Sequence, residues 1–82
     1  MENEIIQPYC IMNSNGYVIE KSDDFSNNIN GQLSDIIQKS RKILGEDQLN
    51  NIEILFENKT ILIKDKLSND LNISMIINNE KK

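Results

Sequence analysis

Apolar residues recur along this chain with two different periods, and the switches between them lay out its elements. Segments 9–12 and 17–21 are rich in β-formers and flank Asn13-Ser14-Asn15-Gly16. Asn and Gly readily take the positive φ of a tight turn, so this stretch predicts a hairpin. Pro8 lacks a donor N–H and suits the start of a strand. Beyond a polar connection at 22–28, whose Ser and Asp residues can cap a helix, the spacing changes. Ile29, Leu33, Ile36, Ile37, Ser40, Ile43 and Leu44 form one apolar helical stripe with a small residue at its centre. Lys39, Arg41 and Lys42 suit the negative end of the helix dipole, and Gly45 suits the C′ position. The pattern predicts a helix from about Asn30 to Leu44.

After a polar link at 46–50, strict alternation takes over. It predicts strands over 51–57, 60–65 and 71–77, joined by a turn at Asn58-Lys59 and another at 66–70. Ile52, Ile54, Phe56, Ile61, Ile63, Leu71, Ile73, Met75 and Ile77 read as the helix-facing set. The residues left on the opposite face include Leu55, Leu62 and Ile76. On neighbouring strands these three would form an apolar patch, and such a patch on an uncovered sheet face is more often a contact surface than an accident.

The expected architecture is α/β (α+β): a five-stranded antiparallel sheet with one main helix, in the order ββαβββ. The domain is expected over residues 8–77, between a tail at 1–7 and a charged tail at 78–82. One helix covers only one face of such a sheet. The other face and the edges need cover from elsewhere, which points to a subunit of an assembly.

Composition narrows the partners. At 82 residues the chain is a single domain with a marginal core, and its hydrophobic content is 38%. Its net charge is −4, with no basic stripe, so nucleic acid and anionic membranes are poor partners. No apolar run approaches the length that spans a bilayer, so direct membrane insertion is not expected. Cys10 is the single cysteine, which excludes an internal disulfide and fits a reducing, cytoplasmic setting.

Catalytic chemistry finds little support. The chain has no His, the commonest general base and metal ligand. Asp23-Asp24 and Glu46-Asp47 are adjacent carboxylates in polar loops, where side chains point apart rather than share a proton. Cys10, in a predicted strand with no His beside it, reads as a small buried hydrophobe. Three scattered glycines build no phosphate cradle. The sequon matches at Asn58 and Asn72 read as chance in an Asn-rich chain. No enzyme, cofactor or metal site is expected.

Two stretches carry a resemblance. YCIMNSNGYVIEKSDDF, residues 9–25, resembles the first hairpin of roadblock-type domains, and NNIEILFENKTILIKDKLSNDLNISMII is similar to their closing three strands. Among these, the chain is most like the small roadblock subunits of the Ragulator late endosomal and lysosomal adaptor, the fourth more than the fifth through ENKTILIK. The resemblance covers about residues 7–77. It implies a roadblock/longin-like fold and a non-catalytic scaffold subunit, paired with another roadblock-domain subunit. The complex would recruit Rag-type GTPases to the cytosolic face of late endosomes and lysosomes for nutrient (TOR) signalling. An extended, membrane-anchored scaffold subunit would supply the anchor.

In that family, two subunits join their sheets through the edge strand after the helix. Mapped here, the partner edge is Ile52, Glu53, Ile54, Leu55, Phe56 and Glu57. The helices lie side by side, which would place Ile36, Ile37 and Ser40 at the helix interface. Leu55, Leu62 and Ile76 would face the scaffold segment. Two alternatives share parts of this reading: a roadblock homodimer of the dynein light-chain or bacterial GTPase-activator kind, and a profilin- or PAS-like small-molecule sensor.

Overall fold

The computed structural model describes residues 7–68 and 70–79. β1 (Tyr9–Asn13) and β2 (Val18–Lys21) form the hairpin, and a single 3-10 turn (Asn27–Ile29) leads into α1 (Asn30–Ile43). β3 (Asn51–Leu55), β4 (Lys59–Ser68) and β5 (Leu71–Asn78) follow. All five strands make one antiparallel sheet in the order β2-β1-β5-β4-β3. The expected fold class and element order are those observed. Of the expected tails, residues 1–6 and 80–82 lie outside the described residues.

Local chemistry sets the ends of the elements. Asn13 folds the first turn, because its Oδ1 accepts from Asn15 N at 2.9 Å and Tyr17 N at 3.1 Å. Gly16 closes that turn at φ 91°, a conformation that favours glycine. Ser26 caps the 3-10 turn by accepting from Asn28 N at 3.1 Å. The helix ends on Leu44, at φ −125° and ψ 78°. Gly16 is the only glycine with positive φ among the described residues, so Gly45 does not form the left-handed cap expected of it. The β3–β4 turn is displaced by one residue from Asn58-Lys59. Phe56 N donates to Lys59 O at 2.8 Å, leaving Glu57 and Asn58 at the tip.

The helix side of the sheet carries the core. Cys10, Met12, Phe25, Leu33, Ile37 and Ile63 are buried, with Ile29, Ile36, Leu49, Ile52, Ile61 and Ile76 packed against them. Each fully buried Met, Ile or Phe contributes about 1.5–3 kcal/mol, so a core this small leaves little margin.

The register overturns one expectation. Ile76 pairs with Ile61, Ser74 with both Ile63 and Cys10, and Asn72 with Met12. Directly paired residues share a face, so β5 turns Asn72, Ser74 and Ile76 toward the helix. Leu71, Ile73, Met75 and Ile77 face the other way. β5 is the central strand, buried against the core on one side and half-buried within an apolar grid on the other, so polarity does not fix which of its faces is inside. The helix side accepts two small polar residues there, Asn72 at 2% exposure and Ser74 at 0%. The side-chain oxygens of both lack a protein partner.

Candidate pairing edge and open sheet face

β3 is an edge strand, and its hydrogen-bonding direction follows from two contacts. Phe56 N donates to Lys59 O, and Asp65 N donates to Asn50 O at 2.9 Å. Residues of even number in this segment therefore bond to β4, and Asn51, Glu53 and Leu55 turn their N–H and C=O groups outward. No proline interrupts them. Asn79 fixes the hairpin tip beside this edge. Its Nδ2 donates to Phe56 O at 3.0 Å, and its Oδ1 accepts from Thr60 Oγ1 at 2.6 Å.

The six residues expected at the pairing edge divide. Ile52, Glu53, Ile54 and Leu55 lie on the edge strand, whereas Phe56 and Glu57 belong to the turn. The helix-interface set divides as well. Ile37, at 2% exposure, is a core residue and cannot meet a partner. Ile36 packs against the core from a half-buried position. Ser40 lines a groove between the end of α1 and the start of β3, with Ile43, Leu44, Leu49 and Ile52. The last turn of α1 contributes nothing to the core: Ile43 is 75% exposed and Leu44 66%. These two continue the apolar stripe, but the core beneath that stripe ends before they are reached.

An ion pair missed in the sequence pins α1 to β4. Arg41 donates from Nε to Asp65 Oδ2 at 2.8 Å and from Nη2 to Asp65 Oδ1 at 2.6 Å. The Asp65 side chain is only 2% exposed. The Arg41 hydrogen bonds hold its carboxyl below the usual carboxylate range, against an opposing push from burial. Lys66 N also donates to Asp65 Oδ1, at 3.0 Å, and Lys66 takes φ 59°. The only sequence signal was Arg41 itself, which reads equally well as a complement to the helix dipole.

The face away from the helix is a grid of three rows. Tyr9, Met75, Leu62 and Glu53 stand side by side across β1, β5, β4 and β3. Glu20, Ile11, Ile73, Lys64 and Asn51 form a second row, and Ile77, Thr60 and Leu55 a third. Its apolar middle is half-buried and flanked by carboxylates. Tyr9 Oη donates to Glu20 Oε2 at 2.7 Å, and that bond pushes the phenol pKa up. Leu62 and Leu55 are diagonal neighbours here, whereas Ile76, expected beside them, is on the helix side. The residues missed are Ile73, Met75 and Ile77, hidden by the reversed reading of β5, and Ile11 on β1, to which the sequence reading assigned no face.

Cys10 is fully buried, and burial pushes its thiol pKa up, away from nucleophilic chemistry. Among the described residues no grouping of Cys, Asp and Glu could hold a metal ion, and no helix is long and apolar enough to cross a membrane.

No family model matches this sequence, and no curated protein does. The fold does find a counterpart among solved structures. The chain is similar to a Roadblock/LC7 domain from Streptomyces avermitilis, with a TM-score of 0.66 over 90% of this chain and 67% of that one, at 7% identity. A likeness at that identity is one of fold.

Proposed function

We propose that this chain is a non-catalytic adaptor, one half of a roadblock-type pair that joins a second sheet along β3. The observation that carries the reading is the free edge: Asn51, Glu53 and Leu55 present a regular row of outward donors and acceptors beside an apolar groove. Such an edge is a template for another strand. The roadblock-type fold supports a second sheet as its partner. Leu55→Pro removes one outward donor. Loss of co-purifying partner, with the melting curve of the chain itself retained, is the expected result; a partner that stays bound overturns the reading.

The wider assembly proposed is Ragulator-like, with Rag-type GTPases recruited to the cytosolic face of late endosomes and lysosomes. Its support is the sequence resemblance of the hairpin and of ENKTILIK, together with an open apolar face able to seat an extended scaffold segment. A second reading is a roadblock homodimer, which the open β3 edge would serve equally well.

A further inference from the structure

The sheet has two edges, β3 and β2, and their backbones are unlike. Along β3 the outward groups of Asn51, Glu53 and Leu55 repeat at every second residue. Along β2 the repeat is broken. Met12 pairs with Val18 and Ile11 with Glu20, so Ile19 is a surplus residue with no partner of its own on β1. Two contacts fix the backbone direction on either side of it. Asn13 N donates to Tyr17 O at 2.9 Å, and Ser22 N donates to Tyr9 O at 3.0 Å, so the residues flanking β2 both bond inward. Counting on from Tyr17 turns Val18 outward, and counting back from Ser22 turns Lys21 outward. Those two sets of outward groups are three residues apart, out of step with the two-residue repeat of a regular strand. A bulge of this kind also bends and twists the strand that carries it.

The side chains show what the broken repeat holds back. Tyr17, Val18 and Ile19 are consecutive β-formers, 69%, 40% and 56% exposed. On a regular backbone they would make an apolar template for strand addition. Charge does not guard this edge. Lys21, the one cation of β2, is turned inward, its Nζ donating to Phe25 O at 3.2 Å and Ser22 O at 3.4 Å. Glu20 is held over the open face by Tyr9 Oη. The bulge is the remaining guard. We propose that Ile19 is an end stop: by setting the outward groups of β2 out of step, it confines extension of the sheet to the β3 side, so that an assembly built on this chain ends at β2 instead of growing into a filament. The stop belongs to β2 and holds whatever pairs along β3.

Deletion of Ile19 from the full chain tests this. It leaves Val18 on Met12, Glu20 on Ile11 and Lys21 on Cys10, and it brings the outward groups of Val18 and Lys21 into the regular two-residue step. The residue removed is exposed, so the core keeps its contacts. In sedimentation at micromolar concentration, the deletion variant should lose the small species of the parent chain to larger ones. Adding Val18→Pro removes an outward donor and should restore the parent's profile, which a merely misfolded chain would not regain. Ile19→Thr keeps the surplus residue and should sediment as the parent does. A deletion variant that sediments like the parent, or larger species that Val18→Pro does not disperse, would overturn the end stop. Amide exchange on the unaltered chain supplies a reading that needs no deletion. The Val18 and Lys21 amides should stay unprotected at every concentration, and protection of either that grows with concentration overturns the proposal.

Discussion

Arg41 and Asp65, one on the helix and one on β4, share two parallel hydrogen bonds of 2.8 and 2.6 Å around a carboxylate that is 2% exposed. The Arg41 side chain is 31% exposed, so water screens the pair from the arginine side. Removing one partner of a buried pair leaves an uncompensated charge. Arg41→Met should therefore cost about 2–3 kcal/mol after allowance for that screening, read as a shift in urea midpoint. Because the folded carboxyl sits below its unfolded value, the contribution of the pair is complete above about pH 4 and fades as pH falls toward the depressed folded value. Asp65→Asn should flatten the acid limb of the stability curve. An unchanged acid limb would show that Asp65 does not govern it.

Gly16 should tolerate no side chain. Its φ of 91° is unfavourable for L-residues, and a Cβ there would lie 2.6 Å from Ser34 Oγ. Gly16→Ala should cost about 1–3 kcal/mol in thermal or urea unfolding. Adding Ser34→Ala should recover part of this loss, because it removes the clash but not the strained backbone. Full recovery would show that φ carries no cost.

The two faces of the sheet should respond differently to a buried-charge probe. Ile76→Glu sets a carboxylate against the core and should lower stability by at least about 2 kcal/mol. Leu62→Glu, on the open face beside Met75, should cost under about 1 kcal/mol in the isolated chain. Paired melts of the two variants would reveal a reversed face assignment at once.

Asn79 holds the β3–β4 tip through three strand ends, and Asn79→Ala should loosen the edge without unfolding the core. The expected cost is about 1–2 kcal/mol. Amide exchange should accelerate at Phe56 first, since Phe56 N donates to Lys59 O inside that clamp. Uniform acceleration across β1 and β5 would instead mark Asn79 as part of the global fold.

The order of elements was legible because the period of the apolar pattern changes sharply at Ile29 and again at Asn51. The position of β3 at the edge came from the resemblance, since alternation alone cannot order strands. What escaped was any choice that depends on the third dimension. β5 alternates apolar Leu71, Ile73 and Met75 with polar Asn72 and Ser74, and the structure turns the polar set inward, against what alternation suggests. The sequence offers no local reason for Ser74 to point inward. Ile43 and Leu44 look like core by spacing, and only the extent of the sheet beneath them shows that they overhang. Arg41 and Asp65 are 24 residues apart, and nothing local links them.

In the sheet order β2-β1-β5-β4-β3, the first strand bonds only to the second and to the last. During synthesis the hairpin from Tyr9 to Lys21 emerges early but finds no sheet to join until Leu71–Asn78 has cleared the ribosome. Cys10 and Met12, which the finished core hides completely, therefore stay accessible to chaperones until that strand is available. A ribosome stalled before β5 would hold a helix with an unfinished meander on one side and an orphan hairpin on the other. Acquisition of the fold should accordingly appear as one late step, timed by the release of the last strand.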